Sequence, residues 1–185
     1  MDDREIIQLY RDRNEGAIRE TSLKYGRLCS FIANNILKNH EDCEEVVNDT
    51  YLALWNSIPP KNPDRFSVFT GKIARNLALK KYEYNSASKR NPEAVCALEE
   101  LEECVSGKDY PENEIENKRI EMAISEFLRE QEEEKRNIFV LRYWYFESVR
   151  NISIRTGYSE GKIKSVLFRL RIKLRKYLKS EGIEI

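Results

Sequence analysis

The chain has 185 residues, with Lys+Arg 32 balanced by Asp+Glu 32, 35% charged and 41% hydrophobic. That composition suits a helical protein with modest cores, arranged as one domain or two small ones. It holds no apolar run long enough to span a bilayer, and Met1-Asp2-Asp3-Arg4-Glu5 is no signal peptide, so a cytoplasmic protein without membrane insertion is expected. Cys29, Cys43, Cys96 and Cys104 form no CxxC pair, and His40 is the one histidine. A zinc framework is therefore not expected, no cofactor is called for, and the cysteines read as free thiols.

The zero net charge hides a strong division. Residues 1–90 hold 15 basic and 13 acidic residues, residues 91–135 hold 5 and 15, and residues 136–185 hold 12 and 4. The C-terminal part alone has the basic footprint of a DNA-binding module. The acidic middle should compete with phosphates for those cations and weaken the free protein's grip on DNA.

In chain order, residues 4–19 read as a first helix, with Ile6, Ile7, Tyr10, Ala17 and Ile18 inward and Gly16 weakening its end. A second helix follows from about Ser22, with the stripe Tyr25, Leu28, Cys29, Ile32, Ala33, Ile36 and Leu37. Asn39-His40 breaks it, and His40 reads as a turn or cap residue. The next helix runs from His40 to Trp55. Cys43, Val46, Val47, Leu54 and either Thr50 or Tyr51 face inward. Its opposite face is acidic: Asp42, Glu45, Asn48 and Asp49, with the apolar Leu52 among them. A solvated face and a partner-binding face are equally open for it.

Ile58-Pro59-Pro60-Lys61-Asn62-Pro63-Asp64-Arg65 is a loop by composition, because three prolines preclude a regular helix. Phe66 begins the following helix, with Phe69, Ile73, Ala74 and Leu77 inward and Lys72, Arg75, Asn76 and Lys80 on the other side. Between 72 and 90, Lys72, Arg75, Lys80, Lys81, Lys89 and Arg90 interleave with Tyr82 and Tyr84. Basic residues mixed with aromatics suit unstacked single-stranded nucleic acid, since every base has a π-face. A helix whose tyrosines lie half in the core explains them equally well.

Residues 85–92 read as a domain boundary. Residues 91–114 read as an acidic flexible linker, mostly without a core of its own. Helical periodicity resumes near Ile115 and passes through Ala123, Ile124, Phe127 and Leu128. Residues 129–135 form a polar turn region, and a further helix begins around Ile138, Phe139, Leu141, Arg142 and Tyr143.

The C-terminal fifty residues carry the most specific pattern. Val149–Thr156 is a short helical stretch, Gly157-Tyr158 follows, and Ser159 stands where an N-cap belongs, with Glu160 in the first turn. Ile163, Val166, Leu167, Leu170, Leu174, Tyr177 and Leu178 make one stripe. A short helix, a turn with Gly and a capped basic helix make a helix-turn-helix, whose second helix enters the major groove. The opposite face carries Gly161, Lys164, Ser165, Phe168 and Arg169. Phe168 could meet a thymine methyl while Ser165 and Arg169 reach base edges. Lys162, Lys164, Arg171 and Lys173 suit phosphates.

These residues resemble one family, the bacterial RNA polymerase sigma factors of the extracytoplasmic-function (ECF) type. Glu41–Trp55 looks like that family's core-polymerase-binding segment. Phe66–Leu79, with Lys72-Ile73-Ala74-Arg75-Asn76-Leu77-Ala78, looks like its promoter-melting and minus-ten helix. Asn137 through Arg171 looks like its minus-thirty-five domain. The resemblance implies an all-α chain of two small helical domains, 1–90 and 115–185, joined by the acidic linker 91–114. It places Glu45, Asn48, Asp49 and Leu52, with Trp55 as a further candidate, against the clamp of the polymerase β′ subunit. It places Lys61, Asn62, Arg65, Lys72, Arg75, Asn76 and Lys80 beside a flipped base of the minus-ten element. Lys162, Lys164, Ser165, Phe168, Arg169 and Arg171 match its minus-thirty-five contacts. The implied partners are core polymerase (β′ clamp and β subunit) and promoter DNA, double- and single-stranded, with an anti-sigma factor left open.

The chain departs from the family in places. Asn48 stands where Gln is usual, Val166 where an arginine is common, and Leu128-Arg129 where Leu-Pro is usual. Two other readings compete. A stand-alone helix-turn-helix regulator would bind two-fold operators unaided, but needs neither the acidic helix nor the basic-aromatic one. A DNA-acting enzyme would need a metal-holding carboxylate cluster or a nucleophile with its base, and the chain has neither pattern, nor a Gly-rich phosphate loop. A non-enzymatic transcription initiation factor is therefore the expected function.

Overall fold

A computed structural model of the chain describes residues 1–85, 91–105 and 114–183, leaving aside the side chains of 103–105 and 114–117. Among the described residues the fold is all-α, with nine helices. They divide into two compact units, Met1–Asn91 and Pro92–Ile185. No described helix is long and apolar enough to cross a membrane. Lys89, Arg90, the Ser106–Pro111 stretch and the side chains of Cys104 and Ile115 lie outside the described residues.

The first unit comprises α1 (Asp3–Arg11), α2 (Gly16–Leu37), α3 (His40–Ser57) and α4 (Phe66–Tyr84). The single helix expected over 4–19 is two. Asp2 caps α1 with a capping box. The chain then turns through Arg13 at φ 54, and the Asn14 side chain accepts from the Gly16 N–H at 2.9 Å. Gly16 therefore opens a helix rather than closing one, and α2 runs unbroken through Ser22. At its far end Lys38 is left-handed and Asn39 caps α3 by accepting from the Asp42 N–H at 2.9 Å. His40 is the first residue of α3, exposed, with Glu44 one turn on at 3.6 Å.

Ile6, Ile7, Tyr10, Ala17, Leu54, Ile58 and Phe66 form one apolar cluster. Burying each large aliphatic or aromatic side chain is worth about 1.5–3 kcal/mol. On α3 both Thr50 and Tyr51 are buried, so the choice between them dissolves. On α4 the buried row is Phe66, Thr70, Gly71, Ala74, Ala78 and Tyr82. Phe69, Ile73 and Leu77, expected inward, flank it half-buried. This row packs on α2, where a β-carbon on Gly71 would make an ordinary contact with Ile32 Cδ1 at 3.6 Å. Cys29 and Cys43 are buried free thiols, each pushed up to about 11 by burial.

The second unit comprises α5 (Pro92–Val105), α6 (Glu114–Glu130), α7 (Glu133–Tyr143), α8 (Val149–Thr156) and α9 (Glu160–Ser180). The stretch expected as a linker without a core differs from that reading over its first half. Residues 92–105 form α5, which buries Ala94 and Ala97 and packs within this unit against α7 and α9. Its two alanines seat it on the neighbouring helices, and its acidic face finds a partner in Arg142, which is 1% exposed and donates to Glu93 at 2.9 Å and to Glu100 at 3.0 Å. Around them Phe127, Ile138, Phe139, Tyr143, Phe146, Ile152 and the α9 stripe Ile163, Leu167, Leu170, Leu174 and Leu178 make the core. Val166 and Tyr177, also expected in that stripe, are half-buried.

Candidate functional site

The outward face of α3 follows from its inward one. With Cys43, Val46, Thr50 and Leu54 buried, Glu45, Asn48, Asp49 and Leu52 fall at three- and four-residue steps on the solvent side. Asn48 and Asp49 are exposed, and Leu52 keeps 57% of its surface exposed. A single exposed aliphatic side chain is ordinary on a protein surface, as Leu23 and Ile154 are here, so Leu52 takes its meaning from the polar neighbours on its face. Glu45 is engaged within the unit: Lys81 Nζ of α4 donates to its Oε2 at 2.6 Å. Lys81 also stands 3.6 Å from Asp42, which accepts from Asn85 Nδ2 at 3.1 Å. The hydrogen bond to Glu45 is the main cause that raises the Lys81 ammonium's pKa.

Trp55, at the end of the same face, is half-buried. Its ring meets Tyr10 edge-on at 6.2 Å, and the Arg13 guanidinium lies over it at 5.3 Å. Arg13 also donates to the Trp55 carbonyl at 2.6 Å. The turn that separates α1 from α2 thus sends a cation to this face. A helix reading over 4–19 hides that contribution.

On the loop and α4, Lys61, Asn62, Arg65, Lys72, Asn76 and Lys80 are exposed, while Arg75 is half-buried and desolvation lowers its pKa. Lys61 Nζ lies 5.9 Å from the Phe69 ring centre, bringing the loop onto the start of α4. The two tyrosines separate: Tyr82 is 7% exposed and Tyr84 is 88% exposed. One tyrosine therefore belongs to the core and one stands on the surface beside the basic residues.

In the second unit Ser148 caps α8, accepting from the Asn151 N–H at 3.1 Å. Gly157, at φ 74, closes it with its N–H on the Ser153 carbonyl at 2.9 Å. Glycine, without a β-carbon, takes that left-handed backbone at the least steric cost. Ser159 then caps α9, accepting from the Lys162 N–H at 3.2 Å. Tyr158 fastens the turn. Its hydroxyl donates to Glu134 of α7, its carbonyl accepts from the Ser153 hydroxyl, and its ring carries Lys162 Nζ at 3.1 Å from the centroid. Lys162 is thereby held beside the turn.

Lys164, Ser165, Phe168 and Arg169 all stand on the exposed face of α9, with Phe168 57% exposed. Arg171 does not join them. Its Nη1 donates to Glu100 Oε2 at 3.0 Å and to the Tyr143 hydroxyl at 2.7 Å. Arg142, Glu93, Glu100 and Glu147 are the polar residues of this unit that sequence reasoning passes over. Glu147 is 2% exposed and pairs with Arg155. One signal exists, since Arg142 falls in step with Ile138 and Phe139 on a buried helical face. Among the described residues no group of His, Cys, Asp and Glu could hold a metal ion.

Residues 23–87 match the family model of Sigma-70 region 2. A search among curated proteins returned no match. The chain also aligns with a solved structure described as CnrH in complex with the cytosolic domain of CnrY. That alignment has 20% identity, covers 96% of this chain and 97% of the other, and has a TM-score of 0.43. The region 2 match spans α3, α4 and most of α2, the helices that carry the outward faces described above.

Proposed function

We propose that this chain, whose residues 23–87 match the family model of Sigma-70 region 2, is an RNA polymerase sigma factor of the ECF type. It is a non-enzymatic subunit that gives core polymerase its choice of promoter. The observation that carries the reading is the region 2 match falling on an α3 whose solvent face displays Asn48, Asp49 and Leu52.

In this reading α3 docks on the β′ clamp. Asp49 supplies charge, Asn48 hydrogen bonding and Leu52 the apolar anchor whose burial excludes water from the contact. Trp55 and Arg13 extend the face. The loop 59–65 and α4 take the opened minus-ten strand. Lys72, Arg75, Asn76 and Lys80 face its backbone, and a base unstacked from the duplex is held by contacts the stacked base cannot make. The second unit lays α9 in the major groove, with Arg169 and Ser165 at base edges, Phe168 against a thymine methyl, and Lys162 and Lys164 at phosphates. An anti-sigma factor is the further partner class that the reading admits.

Run-off transcription tests it. Core polymerase with this chain should yield discrete transcripts from a subset of upstream fragments, and core alone should not. A chain that leaves core silent on every fragment, yet protects palindromic sites without polymerase, would be a stand-alone regulator instead.

A further inference from the structure

Glu100 of α5 accepts hydrogen bonds at both carboxylate oxygens. Oε1 takes Arg142 Nη2 at 3.0 Å and Cys96 Sγ at 3.4 Å, and Oε2 takes the Tyr143 hydroxyl at 2.8 Å and Arg171 Nη1 at 3.0 Å. The Arg171 side chain is 16% exposed and that of Glu100 23%. Lys164, Phe168 and Arg171 follow one another at four- and three-residue steps on α9. The first two project into solvent, and the third turns to an acid on another helix, its guanidinium carbon 6.0 Å from the Phe168 ring centre.

We infer that Glu100 is a competitor, built into the second unit, for the guanidinium that DNA would otherwise take from α9. It holds Arg171 off the phosphate backbone and so limits how many phosphates the helix engages. The inference rests on the proposed reading of α9 as the duplex-binding helix. Carboxylate and phosphate both receive a guanidinium through paired N–H···O contacts. Glu100 has three advantages over an incoming phosphate. It is already ordered by Arg142 and Tyr143, it is shielded from water, and its attraction is less screened by salt than that of an exposed pair. Arg171 therefore releases no counterions on binding, whereas Lys162 and Lys164 do.

The test is the salt dependence of binding of the full-length chain to a short mixed-sequence duplex, read by fluorescence anisotropy. Each phosphate contact contributes about 0.9 to the slope of log K against log salt. Glu100→Gln should steepen the slope by about 0.9, and Glu100→Gln with Arg171→Gln should return it to the wild-type value. Arg171→Gln alone should leave the slope unchanged. An Arg171→Gln chain whose slope falls by about 0.9 overturns the inference, as does a folded Glu100→Gln chain with the wild-type slope. If Glu100→Gln does not fold, the Arg171→Gln slope decides by itself. Failure of the underlying reading shows separately: a Lys164→Gln, Arg169→Gln chain that binds the duplex as tightly as wild type overturns both.

Discussion

Arg142 of α7 is enclosed, 1% exposed, and its Nη2 lies 3.0 Å from Glu100 Oε1 on α5. Its Nη1 donates to Glu93 at 2.9 Å and to the Glu147 carbonyl at 3.2 Å. A cation so enclosed is stable only while its carboxylates are present, because removing one partner leaves an uncompensated buried charge. The acidic helix is thus fastened onto the second unit, with Ala94 and Ala97 turned inward and its carboxylates on Arg142.

Replacing both carboxylates, Glu93→Gln with Glu100→Gln, should destabilise the second unit by about 3–5 kcal/mol. Each unit holds one tryptophan, Trp55 and Trp144. Urea unfolding followed by Trp144 fluorescence in a Trp55→Phe background reports the second unit alone. The midpoint should fall with the double replacement, and a midpoint unmoved from the parent would mean that α5 contributes nothing to the fold.

Acid should act on the same point. Burial by itself raises the Glu100 carboxyl, but hydrogen bonds from Arg142 and Tyr143 outweigh it, and its pKa is lowered below the usual range. The unfolded chain then binds the proton more readily than the folded one. The resulting stabilisation is complete above the ordinary Glu value of about 4.3 and is lost as pH falls through the lowered folded value. Unfolding free energy of the second unit should drop more steeply below about pH 4.3 in the wild type than in Glu100→Gln. Parallel pH profiles would show that Glu100 carries no such linkage.

Arg169 is exposed on α9 with no structural burden. Arg169→Ala should therefore leave the unfolding midpoint in place. In holoenzyme binding it should cost roughly 1–3 kcal/mol on the preferred promoter and relax selection at one or two base pairs. Competition among duplexes varied over the minus-thirty-five element measures this. An equal loss on all of them would make Arg169 a backbone contact.

What can be read from the chain tracks the range of the forces involved. The α9 stripe and the cap at Ser159 are local patterns, completed within four residues, and they stand where periodicity puts them, apart from the half-buried Val166 and Tyr177. The cap of α3 is Asn39 rather than His40, which opens the helix. The outward face of α3 follows from its apolar stripe and carries Glu45, Asn48, Asp49 and Leu52, but Asp42, expected on it, is buried and turns to Lys81 and Asn85 of the same unit. The start of α2 is hidden because a glycine weakens a helix in general, while here Arg13 and Asn14 reverse the chain just before it. The buried row of α4 lies about one residue from where periodicity puts it. Large apolar side chains suggest themselves as the inward set, whereas the buried row runs through Thr70, Gly71, Ala74 and Ala78. The helical first half of the acidic stretch is least legible. Counting its charges suggests repulsion, but the arginines that neutralise them lie 42 and 71 residues from Glu100. The same distance makes Arg171 look like a DNA contact.

The central claim concerns α3, and gel filtration with core RNA polymerase tests it most directly. The wild-type chain should co-elute with core enzyme. Asp49→Lys, changed at an exposed position with the helix around it intact, should elute alone with an unaltered unfolding midpoint. Co-elution of Asp49→Lys at wild-type stoichiometry, or wild-type chain that never enters the polymerase peak, would contradict the account.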